Sequence, residues 1–177
     1  MSRWVLGSFC LLVSFHGLGQ GPLSEAQIKA AFVLNFVRYV EWPERAFSSK
    51  DSPLTICLIG RDDGAIALAP LDGRKAQDRP IKVRFDVGPD AAGSCHVAFI
   101  SETESRRVPT LLRGVKGLPV LTVSDAEGFI DQGGAIGMVR GEQRLQFEVN
   151  RTALERAQLK ASSHLLKLAR AVLSPGG

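Results

Sequence analysis

A chain of 177 residues with 45% apolar and 23% charged side chains can bury one sizeable core and is too apolar for intrinsic disorder. Its formal net charge of +4 is mild and scattered along the chain, which suits ordinary solubility with a small bias toward anionic surfaces and argues against a nucleic-acid partner.

The first twenty residues have a character of their own. Arg3 precedes the apolar run Val5 to Phe15, and Gly17-Leu18-Gly19 supplies a small-x-small cleavage pattern, the layout of a secretory signal peptide over residues 1–19. An uncleaved anchor is the alternative, but the run is too short to span a bilayer comfortably. Cys10 lies inside the run with nothing like Leu-x-Gly-Cys at its end, which disfavours a lipoprotein. Removing Arg3 takes the 22 basic residues to 21 against 18 acidic ones. No repeat, low-complexity tract or long linker divides the rest of the chain, so the mature protein reads as one exported domain over residues 24–174.

Ser24 followed by Gln27 resembles a capping box, and the helix it opens is predicted to reach Trp42, where Pro43 ends it. Lys29, Asn35, Arg38 and Glu41 do not cover one continuous face, so this helix is expected to be mostly enclosed. Its aromatics Phe32, Phe36, Tyr39 and Trp42 then pack on a sheet; the alternative is that Tyr39 and Trp42 offer a platform to a partner.

Compact apolar runs come next: "LTICLIG" at 54–60, "IKVRF" at 81–85, "CHVAFIS" at 95–101 and "PVLTVSD" at 119–125. These read as strands, with helix candidates at 62–69, 102–115 and 125–130 between them. The alternation predicts an α/β fold, a central and mostly parallel sheet of about six strands with helices on both faces. Residues 87–94 are short for a parallel crossover. "AIGMV" and "RLQFEV", joined by "RGEQ", read as a closing antiparallel hairpin.

A long C-terminal helix is predicted from Arg151, with Asn150 as its N-cap and Ser174-Pro175-Gly176 as its stop. Leu154, Ala157, Ala161, Leu165, Leu168 and Val172 would share its apolar face. Arg156, Lys160, Lys167 and Arg170 would form a basic stripe opposite, either simply solvated or in contact with phospholipid headgroups or an acidic partner.

Chemistry is sparse. Gly60-Arg61-Asp62-Asp63-Gly64 ends the first strand and Ser101-Glu102 ends the third, so Gly60, Arg61, Asp62, Ser101 and Glu102 could line a ligand crevice at the carboxyl edge of the sheet. There is no G-x-G-x-x-G, no phosphate loop and no G-x-S-x-G elbow around Ser101. His96 and His164 have no second ligand at metal-binding spacing and read as packed or surface residues. Gly133-Gly134 reads as a supplier of positive backbone dihedrals before the hairpin. No catalytic group, metal or cofactor is expected.

Two cysteines survive signal cleavage, Cys57 and Cys95, and an even pair in an exported chain suggests a disulfide. In a sheet of flavodoxin-like order the first and third strands are neighbours, close enough for such a bond. It would close a loop of about 39 residues, worth about 3.5 to 4 kcal/mol on the chain-entropy account. Two buried free thiols are the alternative.

"KAAFVLNFVRYVEWP", "LTICLIG", "CHVAFIS", "VLTVSD..GFI..GG" and "LQFEVNRTALERAQLKASSHLLKLARAV" together resemble the YfiR-like family of bacterial periplasmic proteins. The resemblance spans nearly the whole mature chain in order. It implies a periplasmic α/β regulator, possible as a homodimer, acting on the periplasmic portion of an inner-membrane diguanylate cyclase and so restraining cyclic-di-GMP signalling and biofilm formation. Cys57 and Cys95 fall on the family's cysteine pair; a further disulfide of the best-understood member has no counterpart here. A periplasmic small-ligand receptor using the strand-end crevice is the second functional reading.

Overall fold

The computed structural model describes residues 23–142 and 144–174; the expected signal peptide and its cleavage site lie outside them. The chain runs through α1 (Glu25–Tyr39), β1 (Val40–Glu41), β2 (Leu54–Ile59), α2 (Asp63–Ile66), β3 (Lys75–Ala76), β4 (Arg79–Arg84) and β5 (Val97–Ile100). It continues with α3 (Val108–Gly114), β6 (Leu121–Ser124), β7 (Ile136–Arg140), β8 (Leu145–Asn150), α4 (Arg151–Arg156), β9 (Lys160–Ala161), α5 (Ser163–Leu168) and β10 (Ala171–Leu173).

The Ser24 hydroxyl accepts the Gln27 N–H at 3.2 Å while the Gln27 side chain accepts the Ser24 N–H at 2.8 Å, so α1 opens with the capping box its sequence suggests. The helix ends at Tyr39 rather than Trp42, because Val40 and Glu41 turn extended and pair antiparallel with Ala161 and Lys160. Nor is it enclosed on all sides. Lys29, Val33, Leu34, Phe36 and Val37 form one buried stripe, and Gln27, Ala31 and Arg38 face solvent.

Eight strands form the main sheet in the order β10-β8-β7-β6-β5-β2-β4-β3. Its five inner parallel strands, counted along the chain, lie in the order 2-1-3-4-5 of flavodoxin-like folds. β3 and β8 add antiparallel edges, and β10 lies parallel to β8 beyond them. The sheet is therefore larger than the six strands expected, because β3 is only two residues without an apolar run and β10 lies in the segment whose periodicity reads as helix. The short β4-to-β5 connection is sufficient: it crosses only β2, which both strands flank, through a 3-10 segment at Pro89–Ser94.

Alternation along the strands divides the core into two layers. Ile56, Leu58, Val97 and Phe99 face Val33, Phe36 and Val37 of α1, while Cys57, Ile59, Ala98 and Ile100 face Val108 and Leu111 of α3. Cys57 and Cys95 share that second layer and are bonded, with Cα atoms 5.9 Å apart.

The helical expectations need four corrections. Residues 102–115 split into a 3-10 segment at Glu102–Arg107 and α3, with Pro109 inside the first turn of the helix where its missing N–H is harmless. Residues 125–130 form turns, and residues 62–69 yield only the short α2. The long C-terminal helix is not formed. Asn150 does cap α4, accepting the Ala153 N–H at 3.0 Å, but Gln158 adopts φ 58° and ends it. β9 then pairs with β1, Ser162 caps α5 by accepting the Leu165 N–H at 3.2 Å, and β10 completes the sheet. The apolar period of 3.6 continues through this segment, but the open edges of β1 and β8 take its backbone groups instead.

Candidate functional site

The order of the parallel strands reverses between β2 and β5, so the loops after Ile59 and Ile100 flank the crevice where such sheets hold ligands. Gly60, Asp62 and Ser101 meet there. The fully buried Ser101 hydroxyl donates to Asp62 Oδ2 and accepts the Thr103 N–H at 3.1 Å, and Asp62 Oδ1 accepts the Ala65 N–H at 2.7 Å. A Cβ at Gly60, whose φ is 93°, would stand 2.8 Å from Ser101 Cβ and 2.9 Å from Glu104 Cγ. The inner side of the crevice is thus closed by Ser101 and Asp62, while a cavity of about 450 Å³ stays open beside Gly60, Arg61, Thr103 and Glu104. Arg61 turns outward into an exposed ion pair with Asp86.

Glu102 belongs to a different place. Its backbone N–H donates to Asp125 Oδ1 at 2.9 Å, and Asp125, just after β6, takes Lys29 Nζ on its other oxygen at 2.6 Å. Lys29 also lies 3.2 Å from Glu25, which accepts from Arg140 Nη2 at 3.0 Å. These groups and the carboxylates of Glu102, Glu127 and Asp131 border a cleft of about 500 Å³ at the carboxyl edge of the sheet. Ser124 braces the Asp125 turn by donating to the Ile100 carbonyl at 2.6 Å and accepting the Ala126 N–H at 3.0 Å.

The electrostatics of this network are set by its ion pairs acting against burial. The Lys29 and Asp125 side chains are only 11% and 6% exposed. Burial by itself pulls the Lys29 ammonium down, but its bonds to Asp125 and Glu25 more than offset that and hold it above the usual lysine range. The Arg140 hydrogen bond holds Glu25 below the usual carboxylate range against the opposing effect of burial. The sequence does carry a sign of this network: Lys29 sits four residues before Val33 and seven before Phe36, on the apolar stripe, and a buried cation requires a partner. The identity of that partner, 96 residues away, is not legible in any local pattern.

The residues expected to meet a partner disperse. Trp42 is core, 9% exposed, with its indole N–H donating to the His96 carbonyl at 3.2 Å. Tyr39 is half-buried against His164, with ring centroids 5.0 Å apart. Arg156 stands on α4, Lys160 on β9 and Lys167 on α5, all exposed. Arg170 pairs with Glu148 at 3.1 Å beside the charged cleft. They form no stripe, because the helix that would align them is broken at Gln158. Beside Tyr39 lies an apolar groove bordered by Ile28, Phe32, Phe147, Leu165 and the 60% exposed Leu168.

His96 is a packed histidine. Its Nδ1 accepts the Thr55 N–H at 3.0 Å and its Nε2 lies 2.9 Å from the Ala46 carbonyl, which assigns the ring proton to Nε2. Its ring stacks on Phe47 at 4.4 Å, and Arg79 covers Phe47 with its guanidinium 3.7 Å from the ring centroid. Among the described residues no cluster of three or more His, Cys, Asp or Glu side chains is arranged to hold a metal ion.

Comparison with solved structures finds a crystal structure of a conserved domain protein from Vibrio cholerae O1 biovar El Tor, with a TM-score of 0.58 at 9% identity. The match covers 85% of this chain and 60% of that one, and at this identity it speaks to the fold alone. The family profile described as YfiR/HmsC-like matches residues 26–170, from the first turn of α1 to the start of β10. This chain belongs to the YfiR/HmsC-like family.

Proposed function

We propose that this protein is a periplasmic regulatory binding protein that inhibits an inner-membrane diguanylate cyclase through the cyclase's periplasmic portion, and so lowers cyclic-di-GMP and surface attachment. The observation that carries this reading is membership of the YfiR/HmsC-like family over residues 26–170. The bonded Cys57 and Cys95 fit an oxidising compartment, and no helix among the described residues is long and apolar enough to cross a membrane. The regulator is the domain at 24–174, delivered after removal of residues 1–19, and a homodimer is compatible with the role.

Inhibition of this kind needs no catalytic group. It requires that the protein bind the inactive conformation of the cyclase more tightly than the active one, since equal affinity would shift nothing. The small-ligand reading at the strand-end crevice is the weaker one: a cavity of about 450 Å³ does open beside Gly60 and Arg61, but Ser101 and Asp62 are bonded to each other and Glu102 lines a different cleft, so the five expected residues do not converge on it.

The test is a clean deletion combined with capture of the tagged mature protein on solubilised membranes. Cyclic-di-GMP and attachment should rise in the deletion strain, and a membrane cyclase should be recovered with the tagged chain. Unchanged nucleotide levels with the candidate cyclase expressed, or capture of only a transporter, would overturn the reading.

A further inference from the structure

At the amino edge of the parallel strands, the opposite end of the sheet from Asp125 and Ser101, lies a hollow of about 350 Å³. The loop after α3, the starts of β6 and β7, and α4 enclose it. Its charged lining is Arg113, Lys116 and Arg156, with no carboxylate among the lining residues. All three side chains are exposed, and among the described residues none has an acidic partner; Arg113 donates only to the Thr110 hydroxyl, at 3.0 Å.

This separates the hollow from the charged cleft at the opposite edge of the sheet. In the cleft at the opposite edge every cation is matched: Lys29 by Asp125 and Glu25, Arg140 by Glu25, Arg170 by Glu148. Here three cations converge on one concavity with nothing to neutralise them, and such a concavity concentrates positive potential. The floor beneath them is apolar, formed by Val115, Val120 and Ala153. One polar group interrupts it. The Thr122 hydroxyl, 5% exposed, accepts the Ala135 N–H at 3.0 Å, which leaves its own proton to donate. A cationic rim over an apolar floor is complementary to an amphipathic anion, with guanidinium groups suited to paired hydrogen bonds with carboxylate or phosphate oxygens.

We propose that Arg113, Lys116 and Arg156 form a binding hollow for an organic anion, a carboxylate or phosphate held at the rim by a ligand whose apolar body rests on Val115, Val120 and Ala153. A free small acid and an anionic phospholipid headgroup with its first methylenes share this chemistry. The proposal does not rest on the cyclase reading, since it is argued from the lining of the hollow alone.

The test is titration of the isotope-labelled mature protein with phenyl phosphate, with benzyl alcohol and inorganic phosphate as the apolar and anionic halves. Phenyl phosphate should shift the amides of Gly117, Thr122 and Gly133 saturably, at least about tenfold more tightly than either half. Lys116→Glu and Arg156→Glu should each weaken it by about tenfold or more, with melting temperature unchanged because both side chains are exposed, and Lys50→Glu should have no effect. Sedimentation with phosphatidylglycerol but not phosphatidylcholine vesicles, lost in Arg156→Glu and competed by phenyl phosphate, would support the site and identify the source as lipid. Saturable shifts without sedimentation would support it with a free anion as ligand. Absence of both, or shifts that persist in the charge-reversed variants, would overturn the proposal.

Discussion

Lys29 shows how one residue can couple a helix to a sheet. Its ammonium joins α1 to the end of β6 through Asp125, and both side chains are almost fully removed from water. Replacing Lys29 with Met leaves the Asp125 carboxylate buried without its counter-ion, so a loss of about 3 kcal/mol is expected in urea unfolding, with partial recovery in the Lys29→Met/Asp125→Asn double variant. His96 sets the acid limit. Burial pushes it below its ordinary 6.5; the Arg79 charge adds to this, against the pull of the Ala46 carbonyl. A histidine depressed on folding binds its proton more readily in the unfolded chain, so stability is full above about 6.5 and declines as pH falls from there toward the folded-state value. Glu25, held below its ordinary 4.5, adds a further loss at lower pH, and Lys29, held above 10.5, an alkaline loss beyond the lysine range. Melting temperature followed from about pH 7 to 5 should fall in the wild type and flatten in His96→Gln.

At the scale of elements, the disulfide staples the central strand β2 to the segment that leads into β5. Cys57→Ser opens a loop between positions 38 residues apart and should cost about 3 to 4 kcal/mol, a large share of the about 5 to 15 kcal/mol typical of a domain. The melting temperature and steady-state abundance should both drop, and non-reducing mass spectrometry should detect the bond only in the wild type. β10 does comparable work without a covalent bond: Ala171, Val172 and Leu173 stand beside Glu148, Val149 and Asn150. A chain ending at Arg170 exposes the β8 edge, and a loss of at least about 2 kcal/mol with concentration-dependent aggregation is expected by light scattering.

Over the whole molecule, the features legible in the sequence are those that local chemistry determines. The Ser24–Gln27 cap, the four apolar strands, the β7–β8 hairpin and the proximity of Cys57 and Cys95 all arise from short-range pattern and strand order. The C-terminal helix was not legible correctly because its sequence satisfies helical periodicity; only the distant edges of β1 and β8 make the extended form better. Gly133-Gly134 is a mixed case. Gly133 has the positive φ expected of it, 98°, whereas Gly134 is needed for space, since a Cβ there would stand 2.1 Å from the Phe129 ring. The charged cleft and the cationic hollow were both hidden for one reason: each collects residues from four or more segments.

The return of the chain's last described turns to its first has a consequence for the timing of synthesis. Residues 160–173 supply the partner strand for Val40–Glu41 and the outermost strand of the main sheet, and Leu165 closes over the α1 stripe. The segment holding Cys57 and Cys95 emerges from the ribosome well before them. A nascent chain therefore holds both cysteines, still unbonded, while the apolar face of α1 lacks its cover, and the β1–β9 and β8–β10 pairings must wait until nearly all of it has been made. A chain stopped before residue 160 would leave the α1 stripe and the β8 edge uncovered together, so closure of the fold depends on the last residues to be made.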